Sequence, residues 1–114
     1  MDEKQRIIQE YVPGKQVTLA HIISNPDTSL YRKLGVVGEL SGALGIMTIT
    51  PSEGAIIAAD VAVKAAPVEI VFVDRFSGSL LLSGITAAVE AAVREVCNVL
   101  ENTLGFDPCP ITRA

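Results

Sequence analysis

The 114-residue chain has no tryptophan, one histidine and two cysteines, and each shortage removes a class of function. Three Phe and two Tyr are all the aromatics in a chain that is 49% hydrophobic. Ala, Val, Ile and Leu therefore dominate, which suits closely packed aliphatic layers better than an aromatic ligand pocket. Metalloprotease HExxH, CxxC, GxSxG, Walker and GxGxxG patterns are all missing. Cys97 and Cys109 make no disulfide framework, and with His21 they lack any local chelating register, so neither a metal nor a cofactor is expected. His21 falls in the alternation Val17, Leu19, His21, Ile23 and reads as a packed or interface residue rather than a ligand or general base.

Positive charge is also scarce. Nine Lys and Arg against thirteen Asp and Glu leave a formal net charge of −4, which supplies no footprint for a nucleic-acid backbone. Every apolar run is broken by Asp, Glu, Lys or Pro before the ~18–20 residues of a membrane span, so no membrane partner is expected. The polar start lacks the basic and apolar regions of a signal peptide, and the expected location is intracellular and reducing. A chain of this length has room for one two-layer domain.

What is present is a sequence of well-bounded elements. QVTLAHII (residues 16–23) reads as a strand stopped by Asn25-Pro26-Asp27, and SLYRKLG as two helical turns ending at Gly35. ALGIMTIT (43–50) is a second strand. Thr50-Pro51-Ser52-Glu53 resembles a helix start, with Thr50 as cap, Pro51 in the first turn and Glu53 completing a capping box. The helix it would open, Pro51 to about Ala66, is apolar nearly all round, with Glu53, Asp60 and Lys64 as its interruptions. A two-layer monomer needs only one apolar stripe, so the excess predicts that the other side meets a second subunit. VEIVFV (68–73), the loop DRFSG and SLLLSG (79–84) give a strand, a turn and a strand. A second helix, Thr86 to about Leu104, puts Val89, Ala92, Val93, Val96 and Leu100 on one face, with Glu90 and Arg94 as an i,i+4 pair and Gly105 as its stop.

Residues 43–104 thus spell strand, helix, strand, strand, helix, a split βαβ pattern lacking its last strand. The tail FDPCPITRA carries Pro108 and Pro110 and makes a poor central strand. QVTLAHII is the good unassigned strand, so it is expected beside the sheet in the missing fourth position, as a circular permutation would place it. RIIQEYV is then spare. A lone strand of that length is either disordered or paired with copies from other subunits. The predicted class is α/β (α+β), a ferredoxin-like four-stranded antiparallel sheet with helices.

Two polar groups stand out. Asp60 and Lys64, one turn apart, could form an intrahelical pair, reach a neighbouring chain or simply be a solvated stripe. In DRFSGS, Gly78 permits a tight turn, Ser77 and Ser79 add donors, and Asp74 with Arg75 places both signs of charge at the sheet's end. In a cyclic oligomer one such loop per subunit would form a polar ring around the axis.

IIQEYVPGKQVTLAHIISNP (7–26), GIMTITPSE (45–53), IIAADVAVKAA (56–66), VEIVFVDRFSG (68–78), AVEAAV (88–93) and the ending CPITRA occur in order and at family spacing. On these blocks the chain resembles the circularly permuted single-domain shell proteins of bacterial microcompartments, the propanediol- and ethanolamine-utilization types among them. The resemblance implies a homohexamer whose flat tile joins other shell proteins edge to edge around encapsulated enzymes, which are further candidate partners, in the cytoplasm. It implies that Lys64 sits at the tile edge, and that Asp74, Arg75, Phe76, Ser77 and Gly78 form the loop nearest the six-fold axis. It further implies that Ile7, Ile8, Gln9, Glu10, Tyr11 and Val12 give one strand to a six-stranded barrel capping the central opening. Residues 1–14 are then the barrel-forming extension and 15–114 the shell domain.

Departures are modest: Ile85-Thr86 replaces an acidic start to the second helix, and Leu40, Ser41 and Pro67 also differ. The cysteine-containing Gly-rich pore motif of an iron-sulfur branch is missing, so no cluster is expected. TPSE and CPITR lean toward the propanediol type, while ethanolamine and choline pathways stay open. Two competing readings are a ferredoxin-like oligomeric module that binds small ligands between subunits, and an enzyme using His21 or Cys97.

Overall fold

The structure, a computed structural model, describes residues 14–35 and 42–114. Segment 7–12, the expected barrel strand, lies outside the described residues.

Strand β1 (Gln16–Ile23), helix α1 (Thr28–Lys33) and strand β2 (Ala43–Thr50) are followed by α2 (Gly54–Ala65), β3 (Glu69–Asp74), β4 (Ser79–Gly84), α3 (Thr86–Asn102) and a two-residue β5 (Thr112–Arg113). The sheet order is β3-β4-β2-β1-β5. β1 pairs antiparallel with β2, from Gln16 opposite Thr50 to Ile23 opposite Leu44, and so occupies the position the split βαβ pattern left open. Among the described residues the expectation of four strands is corrected to five. Thr112 and Arg113 lie parallel to His21 and Ile22 at the sheet's outer edge, downstream of both prolines, where a short pairing needs few ladder donors.

One face of the sheet carries the core. Met47 and Ile49 of β2, Leu80 and Leu82 of β4, and Val17, Ala20 and Ile22 of β1 meet the inner faces of α2 and α3. Val89, Ala92, Val93, Val96 and Leu100 of α3 are all fully buried, as their spacing predicts. Each such Val or Leu contributes about 1.5–3 kcal/mol of burial. Gly45 explains how closely α3 approaches, since a Cβ there would stand 2.9 Å from Val89 Cγ1 and 3.1 Å from Val93 Cγ2. On the opposite face α1 covers a smaller cluster of Tyr31, Leu44 and Leu81.

Three local expectations are corrected. α2 begins at Gly54 rather than Pro51, and Glu53 makes no side-chain cap hydrogen bond. The Thr50-Pro51 peptide is cis, and Pro51 to Glu53 form a turn in which the Gly54 amide donates to Pro51 O at 2.8 Å. The capping box is therefore not formed. Glu90 pairs with Arg113 of the tail (3.0 Å) rather than with Arg94, because β5 brings a guanidinium to the exposed flank of α3.

Candidate assembly surfaces and polar turn

Asp74 ends β3 and organises the turn that follows. Its Oδ1 accepts from the amides of Phe76 (2.8 Å) and Ser77 (3.3 Å), an Asx-turn that lets a side chain stand in for backbone pairing. The Phe76 amide foremost, then the Ser77 side chain and amide, hold the Asp74 carboxyl below the usual carboxylate range. The Gly78 amide closes the turn on Asp74 O (2.8 Å), and the Ile49 amide donates to Gly78 O (2.9 Å), tying the turn to β2. Gly78 has φ 80°, and a Cβ there would sit 2.1 Å from Ile49 O, so only glycine fits. The turn is thus built from within the chain. What it presents outward is Phe76, 81% exposed, with the Arg75 guanidinium 5.0 Å from its ring centroid.

Beside this turn runs an open groove of about 500 Å³ lined by Ile56, Phe72, Val73, Asp74, Arg75 and Phe76. Its apolar walls come from two sources. α2 buries only small residues, Gly54, Ala55, Ala58, Ala59 and Ala62, and turns Ile56, Ile57 and Val63 outward. β3 is an edge strand with Ile70, Phe72 and Val73 exposed. Composition alone signalled the excess on α2. It did not signal β3, because VEIVFV reads as a strand and only the sheet order puts it at an edge.

Lys64 and Asp60 form an intrahelical pair, Nζ to Oδ2 at 2.8 Å, on the exposed side of α2. An exposed i,i+4 pair contributes only about 0.3–0.5 kcal/mol, so Lys64 remains available to a neighbour. His21 is half-buried with Nδ1 2.6 Å from Thr112 Oγ1, which makes it part of the attachment of the tail. Cys97 is pushed up to about 11, chiefly by burial, and Cys109 is raised for the same reason; both pack against the core and are poor nucleophiles. Among the described residues no group of three or more His, Cys, Asp or Glu gathers into a metal-holding cluster. The structure brings residues 74–78 together in one turn and places Lys64 on a different surface, near Val61, Ala65 and Glu95.

Fold and surface together define a small α/β unit with a glycine-closed polar turn at one end of its sheet and with surplus apolar side chains that point away from its own core. The family model of the BMC domain matches residues 43–110, and the chain belongs to this family of bacterial microcompartment shell proteins. It is 55% identical over 108 residues to the shell protein PduU of Salmonella typhimurium, covering 95% of this chain and 92% of PduU. Against EutS of the same organism it is 52% identical over 111 residues, covering 97% and 98%. Among solved structures, a CutR flat hexamer superposes with TM-score 0.85 at 50% identity, covering 96% of this chain and 92% of CutR. CutR has also been solved as a screw of 41.9 Å pitch, with TM-score 0.83 at 47% identity over 90% of this chain and 100% of that one.

Proposed function

We propose that the chain is a structural, non-enzymatic tile of a microcompartment shell, assembling as a homohexamer that joins other shell proteins edge to edge. The observation that carries this reading is the outward-facing apolar surface of α2 and β3, which a lone subunit leaves in water. Full-length similarity to shell proteins, including one solved as a flat hexamer, supports it. The polar turn 74–78 is the natural pore-lining element, since it is rigidly held yet projects Arg75 and Phe76. Lys64 belongs to the tile edge, on a surface separate from the groove.

The fold is a circularly permuted ferredoxin-like one. Support comes from β1, which precedes the strand–helix–strand–strand–helix run yet occupies its fourth position, and from the family match, which begins only at residue 43. Segment 7–12 forms the barrel cap, with residues 1–14 as an extension of the shell domain 15–114. Gln16 pairs with Thr50, and the neighbouring Ile49 bonds Gly78, so the chain enters β1 at the end of the sheet that bears the pore turn.

Sedimentation analysis tests the assembly. A species near six times 12.0 kDa is expected, and a stable monomer at micromolar concentration would sink the proposal. An open helical series of sizes would favour a screw, because the same head-to-tail interface gives a ring only when its rotation closes.

A further inference from the structure

The residue before β1 is held from three directions. Lys15 Nζ donates to Leu104 O at 2.7 Å, and its ammonium lies 5.8 Å from the Phe106 ring centroid. Its own carbonyl accepts from the Asp107 amide at 2.7 Å, while the Val17 amide donates to Asp107 O at 2.9 Å. Leu104 and Phe106 lie where the chain leaves α3, with Gly105 at φ 74° making the turn and the Phe106 amide reaching back to Leu100 O at 2.8 Å. A cation suits the carbonyl-rich end of a helix, and the hydrocarbon stem of lysine can cover an aromatic face.

Phe106 is buried in the core, 5% exposed, so the clamp is anchored to the folded body. Gly14, by contrast, has open space around it, with nothing within 4 Å of where a Cβ would stand. Lys15 is thus the first residue of the chain, among those described, at which direction is fixed by side-chain contacts.

We propose that Lys15 is a positioning residue for the N-terminal segment: its clamp onto Leu104 and Phe106 sets the direction in which the chain enters β1, at the end of the sheet that bears the 74–78 turn. This rests on the cap reading above. Lys15→Met keeps the stem and removes the charge, whereas Lys15→Arg keeps a cation that can still donate to the carbonyl and stack on the ring.

The test uses the assembled full chain and a glutamate-specific protease, following cleavage after Glu10 by mass spectrometry against a free peptide of residues 1–16. The wild-type assembly should be cut at least about tenfold more slowly than the peptide. Lys15→Met should approach the peptide rate, and Lys15→Arg should stay near wild type. Cleavage after Glu95, on α3, is the internal control and should remain slow in all three. Slow cutting at Glu10 in Lys15→Met overturns the role of Lys15 while leaving the cap standing. Cutting that rises equally at Glu10 and Glu95 means global loosening and also overturns it. A wild-type assembly already cut at the peptide rate overturns the cap reading, and the proposal with it.

Discussion

The two long helices pack on the same face of one sheet, and they solve opposite problems. α3 is amphipathic in the ordinary sense, with Val89, Val93, Val96 and Leu100 wholly inside and Arg94, Asn98 and Glu101 outside. α2 presents glycine and alanine to the core and keeps its larger side chains, Ile56, Ile57 and Val63, for the surface. Small inward residues let a helix approach the sheet closely, but they bury little, so α2 gains less from the monomer than its hydrophobicity suggests. The difference separates two jobs. α3 makes the subunit fold, and α2 makes the subunit incomplete.

Substitutions can break that division, and the largest effect is expected in α3. Leu100→Ala should cost about 2–5 kcal/mol in chemical denaturation, since it opens a cavity at a fully buried site. A loss below 1 kcal/mol would mean that α3 is not the principal core helix. Ile56→Asp on α2 should leave the far-UV circular dichroism of the subunit intact while dissociating the assembly to monomers by sedimentation. Unfolding instead would show that the outer side of α2 belongs to the fold.

Smaller and more local is Lys64→Ala. Removing one member of an exposed pair should leave subunit stability within about 0.5 kcal/mol. Sheet formation between hexamers, followed by light scattering, should weaken more than the hexamer itself, and equal loss of both would refute the separation of edge from ring. The smallest effect is electrostatic and confined to the turn. The Asp74 carboxyl is lower in the folded chain than its ordinary 3.8, so its contribution to the turn is present above pH 3.8 and lost as pH falls through the folded value. With intrinsic exchange divided out at each pH, the protection of the Phe76 and Ser77 amides should fall only below pH 3.8, and Asp74→Asn should remove that pH dependence.

Much of the fold was legible in the sequence. β1, β2 and β4 begin and end where their β-branched and aliphatic runs meet Asn-Pro-Asp, Thr-Pro and Gly, because those boundaries are set by backbone chemistry within a few residues. α3 follows its 3.6-residue period, and the surplus on α2 was visible as composition. The start of α2 was not legible. Thr50 to Glu53 spell a capping box, yet the backbone there makes a separate turn against the Gly78 end of the sheet. Glu90 likewise had a plausible partner four residues on, and the tail, remote in sequence, supplied a nearer one in Arg113.

The candidate site divides in the same way. Asp74 and Gly78 advertise a turn in any context, since an Asx acceptor and a glycine with positive φ act over four residues. Lys15 carried no signal at all, because its partners Leu104 and Phe106 are 89 and 91 residues away and meet it only once β1 has docked. VEIVFV gave the strand but not its place at the sheet edge.

The sequence by itself determined strands β1 to β4, the helix periods and the polar turn, all of which depend on side chains a few positions apart. Tertiary structure decided which strand is an edge, which helix face is left open and what anchors Lys15 and the C-terminal tail. Those properties depend on who packs beside whom, and hydrophobic burial, being nondirectional, does not choose neighbours until the sheet order is fixed.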